Sequence, residues 1–301
     1  MNAIYRLNHL GVIQASGAEA ASFLHSQLST DIIHVPEQSV RLAAYCSPQG
    51  KMFASFIVCQ ADAQTFYLIC SADLLQVTLK RLSMFILRAK VQLSDVSTEL
   101  PLYGISYTDV LEATPPLQPW NSIQKQGNWH IELPQAAKYK RRIVIAADMA
   151  HLPELPTQPE AAWQWLDVQS GIALVCEATR DRYIPQMFNY ESVGGVDFQK
   201  GCYPGQEVIS RSQFRGTLKR KLFMLHGNTA INIGDNIASG NNLEEVCGEV
   251  VGEVILAAPA PQGGYDVLAV LRTDSADHPL ADAQGAALTL LPLPYAIKED
   301  F

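Results

Sequence analysis

Residues 200–207 read KGCYPGQE, in which a lysine and a cysteine precede a Pro-Gly pair and a polar run. The Pro-Gly pair is typical of the centre of a type II turn, because proline presets φ and glycine accepts the positive φ of the next position. The residues that follow, QEVISRS, predict a helix that begins near Gln206. Cys202 is therefore expected just before a helix N-terminus, two residues after Lys200.

The thiol of Cys202 has neighbours that would favour its thiolate form. Only the thiolate is a good nucleophile or soft-metal ligand, and a free thiol has a pKa near ~8.5. The ammonium of Lys200 and the partial positive charge of a helix N-terminus would both lower that pKa. A buried structural cysteine, in a turn that needs only proline and glycine, is the alternative. Taken alone, these residues leave both interpretations open.

The composition restricts the class of protein. The chain has 301 residues, of which 48% are hydrophobic and 17% are charged, as expected for one large or two smaller globular domains. The net charge of −8 disfavours nucleic acid or an anionic membrane as a partner of the whole surface. The N-terminus, MNAIYRLNHLG, has no apolar signal core, and no apolar run reaches the length of a membrane span. We therefore expect a cytoplasmic protein that makes no membrane contact.

The six cysteines are spread along the chain without a metal-binding or disulfide pattern. No CxxC pair occurs, and the seven histidines form no HxxxH pair. We therefore expect neither a metal site nor a disulfide framework. Cys46, Cys59 and Cys70 lie in the apolar runs AAYC, FIVC and FYLIC, which predicts that they are packed thiols.

The first two thirds of the chain have a mixed helical and strand-like pattern. RLAAYCS and MFASFIVCQ flank the turn PQGK and predict a β-hairpin. Ser16 and Glu19 have the spacing of a capping box for the helix that follows. AAWQWLDVQSG, residues 161–171, predicts a further helix after a proline-rich connection. The fold class predicted for this part is α+β.

The last third has a different pattern. From about residue 221, short strand-like runs alternate with Gly, Asn and Asp turns, which is typical of a small β-barrel. We divide the chain into a body of two α+β lobes, residues 1–218, and a C-terminal β-barrel domain, residues 219–301.

The segment FQKGCYPGQEVISRSQFRG resembles the signature of the YgfZ-type folate-binding proteins. This family is the iron–sulfur-maintenance and tRNA-modification-linked branch of the aminomethyltransferase-like superfamily, which includes the glycine-cleavage T-protein. AAYCSPQGKMFASFIV, YIPQMFNYESVGGVDF and LPLPYAI resemble further segments of the family in the expected order. The resemblance thus extends over nearly the whole chain. It implies a three-lobed fold, with two α+β lobes and a C-terminal β-barrel around a central channel.

The same resemblance implies a function for the cysteine. It predicts a folate-binding accessory protein for iron–sulfur cluster assembly or repair, linked to tRNA modification, with tetrahydrofolate in the channel. Cys202 is then the essential reactive residue, and Lys200 is the second candidate catalytic residue. The implied partners are a folate and iron–sulfur client or assembly proteins. Transfer RNA is a further candidate partner that the acidic net charge does not support.

The resemblance also assigns candidate cofactor-binding residues. Trp165 matches an aromatic position beside the folate, although it fits an ordinary helix core equally well. Gln169 belongs to QSG where the superfamily has EAG, so an amide replaces a carboxylate that would accept from the pterin N–H groups. This replacement predicts weaker folate binding or a different folate species. The signature adds five candidates, namely Tyr203, Gly205, Gln206, Glu207 and Arg211.

A departure from the T-protein pattern bears on catalysis. Ala54 and Ser55 stand where T-proteins carry a catalytic aspartate pair. Loss of an acid–base group typically costs ~10²–10⁴-fold in rate, which disfavours aminomethyl transfer. Whether the protein is an enzyme stays open at this point. The alternatives to an accessory protein are a folate-dependent one-carbon transferase and a non-catalytic protein-binding module.

Overall fold

The computed structural model describes residues 2–36, 38–108, 117–215, 218–240 and 248–298, without the side chain of Arg215. Within these residues the strands are, in chain order, β1 (Ala3–Arg6), β2 (Leu10–Ser16), β3 (Val40–Cys46), β4 (Met52–Gln60), β5 (Thr65–Ser71), β6 (Gln92–Asp95), β7 (Leu102–Tyr107), β8 (Ser122–Lys125), β9 (Asn128–Ala136), β10 (Tyr139–Ile145), β11 (Arg220–Gly227), β12 (Asn236–Ser239), β13 (Glu249–Pro259), β14 (Tyr265–Arg272), β15 (Leu280–Ala281) and β16 (Ala287–Leu291). The α-helices are α1 (Ala20–Gln27), α2 (Ala72–Ser83), α3 (Glu160–Gln169) and α4 (Gln206–Arg215).

The predicted hairpin forms one edge of the first sheet, whose strand order is β3-β4-β5-β2-β6. Successive residues of β4 face two different hydrophobic clusters: Phe56 and Val58 belong to one, and Ile57 and Cys59 to the other. Because side chains alternate between the faces of a strand, both faces of this sheet are covered. This explains why MFASFIVCQ is a continuous apolar run instead of an alternating one.

The second sheet has the order β1-β7-β10-β9-β8 and begins with the first strand of the chain. β1 pairs antiparallel with β7, about a hundred residues later, so the two sheets are interleaved in sequence. Ile57 of the first sheet and Ile143 of the second share one hydrophobic cluster with Trp163 and Leu166 of α3. The space between the sheets, with α3 beside it, is therefore the centre of the body.

The predicted barrel is present. β11, β14, β13, β12, β15 and β16 form a closed barrel with its own apolar core, which includes Leu225, Val254 and Leu271. Helix α3 packs against β13 and β14 of this barrel. The mixed α/β body and the closed C-terminal barrel confirm the predicted fold class. The division of the chain at residue 218 stays a prediction. No helix among the described residues combines the length and apolarity needed to cross a membrane.

The predicted capping box at the start of α1 is wrong. Ser16 is still part of β2, where it pairs with Thr65, and the chain then turns through Gly17, whose φ is +137°. Glu19 is the N-cap residue, but no side-chain hydrogen bond caps the helix. The Glu19 carboxylate instead accepts a hydrogen bond from the backbone N–H of Lys90, at 2.6 Å. A long-range partner has replaced the local one that the spacing suggested.

Candidate functional site

The loop of residues 200–207, called the signature loop below, packs on the turn of the β3–β4 hairpin. Gly205 has a φ of +81°, and the N–H of Gln206 donates to the carbonyl three residues earlier at 3.2 Å. These are the features of the predicted type II turn, and α4 begins at Gln206 as predicted. A Cβ on Gly205 would lie 2.7 Å from Gly50 Cα and closer still to the carbonyl oxygen of Ser47. Glycine is therefore required both for its φ and for its size.

Lys200 fastens the signature loop to α1. Its side chain is buried, and its Nζ donates to the carbonyl oxygens of His25 and Leu28, the latter at 2.7 Å, at the C-terminal end of that helix. Burial lowers the pKa of Lys200 to about 8, and nearby negative charges, including that of Cys202, oppose this lowering. The first partners of the ammonium are thus backbone carbonyls. An influence of Lys200 on the reactivity of Cys202 stays a prediction.

Cys202 is the exposed one among the five free cysteines that the structure describes, and Cys176 is half-buried. The other three, Cys46, Cys59 and Cys70, are buried, as predicted for packed thiols. Burial raises the pKa of Cys59 to about 12 and also raises those of Cys46 and Cys70. These three thiols are therefore protonated and inaccessible, whereas the sulfur of the signature loop is accessible to reagents.

We expect limiting iodoacetamide to modify Cys202 of the native protein at least about tenfold faster than Cys46, Cys59 or Cys70, because buried thiols react only after local opening. Peptide mass spectrometry over a time course would measure the individual rates. In denaturant the difference in rates should disappear. Equal native rates for Cys202 and Cys59 would contradict the assignment of Cys202 as the accessible thiol.

The remaining candidates of the signature loop and α4 occupy different environments. The ring of Tyr203 is buried and lies 5.0 Å from Lys200 Nζ, and Gln206 Nε2 donates to the Lys200 carbonyl at 3.4 Å. Glu207 and Arg211 are exposed and form an ion pair of 2.6 Å on the outer face of α4. Pairs of this kind contribute little to stability. The signature loop is thus partly a structural support and partly an open surface beside Cys202.

A cavity of about 290 Å³ lies between the two sheets, beside α3. Its wall is largely apolar and aromatic, with Ile57, Leu133 and Trp163 among the lining residues. Polar groups are concentrated in a cluster that includes Arg141 and Asp167. We call this space the central cavity. An apolar chamber with a few convergent polar groups has the composition of a small-molecule binding site.

The polar groups of the central cavity form one connected network. Arg141 Nη1, which is buried, donates to Asp167 Oδ1 at 2.6 Å. The imidazole of His9 donates from Nδ1 to Glu160 Oε1 at 2.8 Å, and His9 Nε2 lies 3.8 Å from Asp167 Oδ2. Burial tends to lower the pKa of His9, but Asp167 and Glu160 outweigh it and raise that pKa above its ordinary value. These two carboxylates therefore favour the protonated imidazolium.

A second cavity, of about 670 Å³, adjoins the central cavity. Both are lined by Trp120 and Ile172, among other shared residues, and Gln169 lines the second one. Trp120 has a φ of +64°, which is unusual for a large side chain. Two backbone hydrogen bonds of 2.8 Å, one to Glu132 and one from Val40, hold it in this conformation. The backbone of Trp120 is therefore held in one conformation, and this residue lines both cavities.

Trp165 and Gln169, the two candidates on α3, converge on one buried carboxylate of the barrel. Trp165 Nε1 donates to Asp266 Oδ2 at 2.7 Å, and Gln169 Nε2 donates to the same oxygen at 2.9 Å. The other oxygen, Oδ1, is 2.7 Å from His226 Nδ1. These contacts fasten α3 to β14 and β11. Trp165 lines neither cavity in the described part of the chain, so its contact with a folate stays a prediction.

The structure divides the sequence-based candidates into two groups. Gln169 lines the second cavity, whereas no residue of the signature loop, all of which is described, lines either cavity. The sequence analysis did not identify His9, Arg141, Asp167 or Trp120. Asp167 carries a weak signal, because it stands two positions before Gln169 in the same helix. The other three belong to no recognisable motif.

The position that the resemblance assigns to the T-protein aspartate is closed and uncharged in this chain. Ala54 and Ser55 are fully buried in β4. Ser55 Oγ accepts a hydrogen bond from the backbone N–H of Val175 at 2.8 Å, so its hydroxyl has a structural partner. Neither residue supplies a carboxylate to a reacting group.

Two interleaved sheets with a central cavity and a C-terminal closed barrel give the chain an aminomethyltransferase-like fold. The glycine cleavage system aminomethyltransferase T from Bartonella henselae matches it with a TM-score of 0.74. The match covers 100% of this chain and 88% of that one at 15% sequence identity, so it shows the fold alone.

Sequence comparison then identifies the branch. The tRNA-modifying protein YgfZ of Edwardsiella ictaluri is 31% identical to this chain, with 98% of this chain and 93% of that protein aligned. The protein of the same name from Colwellia psychrerythraea is 26% identical over the same shares. No family model matches the chain. The chain belongs to the YgfZ family, which confirms the resemblance found in its sequence.

Proposed function

We propose that this chain is a folate-binding accessory protein for iron–sulfur cluster assembly or repair, linked to tRNA modification. The link to tRNA modification is supported by the name of its relatives, tRNA-modifying protein YgfZ. The observation that carries the proposal is the exposed thiol of Cys202, presented by a loop that Lys200 and Gly205 hold in a defined conformation. Cys202 is the essential reactive group in this proposal.

The cavities support a folate as the bound small molecule. Tetrahydrofolate has a bicyclic pterin ring joined to a long tail, and two adjoining cavities suit such an elongated shape. One partly buried polar atom at the central cavity, Asp167 Oδ2, accepts no hydrogen bond within the described residues and lies 3.8 Å from His9 Nε2. A heteroaromatic ring with its own donors would supply a hydrogen bond to this oxygen. The residues present therefore fit a folate.

The closed position of Ser55 favours an accessory role over aminomethyl transfer. A transferase of the T-protein type needs an acid–base group there, and β4 has no carboxylate at Ala54 or Ser55. We assign iron–sulfur client or assembly proteins as the partners, in the cytoplasm. The net charge of −8 gives no support to direct tRNA binding, so the tRNA link is proposed to act through iron–sulfur enzymes.

Complementation of a strain that lacks the chromosomal copy of this gene tests the proposal. The wild-type chain should restore those tRNA nucleosides whose synthesis needs a radical iron–sulfur enzyme, measured by mass spectrometry of digested tRNA. Cys202→Ala should restore less than about a tenth of the wild-type level, as expected when a nucleophile is removed. Cys247→Ala, which removes a thiol 45 positions further along the chain, is the matched control and should restore fully. Full restoration by Cys202→Ala at equal expression would overturn the central role of this thiol.

A further inference from the structure

A histidine of α1 lies directly beside the signature loop. A Cβ on Gly201 would lie 3.5 Å from His25 Nε2. Gly201 precedes Cys202, so the imidazole faces the residue next to the thiol. Lys200 Nζ also donates to the His25 carbonyl oxygen, which fastens the same loop to the same residue. The fold therefore places an imidazole one residue away from Cys202.

Asp31 fixes the orientation of this imidazole. Asp31 Oδ1 lies 3.1 Å from His25 Nδ1, and it also accepts from the backbone N–H groups of Ile33 and His34, at 2.8 and 3.0 Å. Burial tends to raise the pKa of Asp31, but the hydrogen bonds from the N–H groups of His34 and Ile33 outweigh it and lower this pKa to about 2. Asp31 is therefore an ionised acceptor near neutral pH.

The proton of the neutral His25 imidazole belongs on Nδ1. This nitrogen lies 3.1 Å from Asp31 Oδ1 and 3.4 Å from the backbone nitrogen of Ile32. The carboxylate is both the nearer partner and the charged one, and charge-assisted hydrogen bonds are the stronger kind, so Nδ1–H donates to Asp31. Nε2 then carries the lone pair, and it accepts no hydrogen bond from any described residue. The basic nitrogen of His25 is thus open on the side of the signature loop.

The surrounding charges keep this imidazole neutral near pH 7. Burial and the ammonium of Lys200 lower the pKa of His25, and Asp31 opposes this lowering without cancelling it. The ring of His34, whose centre lies 6.1 Å from that of His25, lowers the pKa further. On the loop side, negative charge on Cys202 acts on Lys200 and helps it to keep its proton. A neutral imidazole in this position can accept a proton.

We infer that His25 is the proton acceptor for the Cys202 thiol and that Asp31 is the positioning residue of His25. The S–H bond breaks, its electron pair stays on sulfur, and the proton bonds to His25 Nε2. Because Cys202 is exposed, rotation of its side chain can bring Sγ to this nitrogen directly or through one water molecule. The charge of Asp31 stabilises the imidazolium that forms. The inference rests on the proposed function in taking Cys202 as the reactive group.

The rate of alkylation of Cys202 by iodoacetamide from about pH 5 to pH 9, measured by peptide mass spectrometry, tests the inference. When a proton moves from sulfur to Nε2 within one pair, the population of the thiolate–imidazolium form does not depend on pH between the two pKa values of the pair. The wild-type rate should therefore be nearly constant in that interval and should fall below the pKa of His25. His25→Gln should replace the constant region by a rise of about tenfold per pH unit and slow alkylation at pH 7 by at least about tenfold.

His34→Gln is the matched control. His34 shares the carboxylate of Asp31, with its Nδ1 3.0 Å from Oδ2, but its side chain is exposed. This variant should keep the constant region and change the rate at pH 7 by less than about threefold. Asp31→Asn removes a charge that raises the pKa of His25, so the pH below which the rate falls should become lower. A merely structural role of Asp31 would leave that pH unchanged.

A wild-type rate that rises about tenfold per pH unit throughout, or the same profile for His25→Gln as for the wild type, would overturn the inference. The wild-type profile needs no variant, and circular dichroism shows whether each variant is folded. Complementation by Cys202→Ala separates the inference from the proposed function. If that variant restores the tRNA nucleosides fully while the constant region is present, the proposed function is wrong and the proton transfer to His25 stands. If it fails to restore them and the constant region is absent, the inference alone is wrong.

Discussion

Replacing Gly205 by alanine is expected to lower the free energy of unfolding by about 2–5 kcal/mol and to disrupt the signature loop. An L-residue held at a φ of +81° has a backbone cost of about 1–2 kcal/mol. The new Cβ would lie 2.7 Å from Gly50 Cα and 2.8 Å from Gly50 N, closer than van der Waals contact allows. Because these neighbours are backbone atoms of a tight turn, relief requires movement of the chain, at about 1–3 kcal/mol.

Gly201→Ala is the matched control for this prediction. Gly201 belongs to the same loop, and a Cβ there would meet only His25 Nε2, at an ordinary 3.5 Å. Its substitution should change stability by less than about 1 kcal/mol. Urea denaturation gives the free energy of unfolding of both variants. Their midpoints can be compared directly if the m-values are equal. Equal stabilities for the two variants would show that Gly205 is not a point of close approach.

The prediction for Gly205 also shows what sequence reasoning can reach. The Pro-Gly pair predicted the turn and the helix start, because turn chemistry depends on neighbours in sequence. The hairpin and the barrel were predictable for the same reason, since alternation and turn residues are local signals. The clash with Gly50 could not be predicted, because it joins residues more than 150 positions apart. The local conformation of the loop could be predicted from the sequence, but the close packing of Gly205 against Gly50 could not.

The interactions of a charged side chain are also difficult to predict from the sequence, as Lys200 shows. Its closeness in sequence to Cys202 suggested that it lowers the pKa of that thiol. The structure shows that its ammonium donates to Leu28 O, 172 residues away, and is buried there. A charge-reversal variant at Lys200 would therefore place a carboxylate against carbonyl oxygens, and it would test folding before it tested the thiol. The sequence placed Lys200 in the same loop as Cys202, but it did not reveal that Lys200 donates to the Leu28 carbonyl.

The polar groups of the central cavity were the least predictable part of the candidate site. His9 lies in a turn, Arg141 in a β-strand and Asp167 in a helix, far apart in the chain, and none of them belongs to a motif. Arg141 and Asp167 are also charged residues that a hydrophobicity pattern assigns to the surface. Their burial depends on the way the two sheets enclose the cavity, which is a property of the tertiary structure. Only Gln169, which carries a signal from the family resemblance, was identified in advance near this space.

Replacing Asp266 by alanine is expected to lower the free energy of unfolding by about 3 kcal/mol. The variant leaves Trp165 Nε1 and Gln169 Nε2 without their acceptor and removes the partner of His226. An unsatisfied buried polar group costs about 1–3 kcal/mol, and the loss of one member of a buried pair costs about 3–5 kcal/mol. His226 is partly exposed and can reach water, so the lower part of the combined range applies. Urea denaturation followed by tryptophan emission would measure the change in the free energy of unfolding.

Asp274→Ala is the control, because Asp274 is an exposed carboxylate of the barrel region that pairs with Arg272. Exposed pairs contribute about 0–1 kcal/mol, so this variant should stay within that range. If Asp266→Ala is as stable as Asp274→Ala, the buried carboxylate does not fasten the barrel to α3.

Asp266→Asn separates the geometry of these hydrogen bonds from the charge of the carboxylate. The asparagine carbonyl can accept from Trp165 and Gln169, while its NH₂ group faces His226 Nδ1, which accepts when the imidazole is neutral. The variant should therefore recover at least about half of the stability lost in Asp266→Ala, or roughly 1.5 kcal/mol. Because Asp266 holds Gln169, which lines the second cavity, Asp266→Ala should also weaken the proposed binding of tetrahydrofolate, and Asp266→Asn should restore it along with stability. Recovery of stability without recovery of binding would show that the barrel contact stabilises the fold without positioning the cavity.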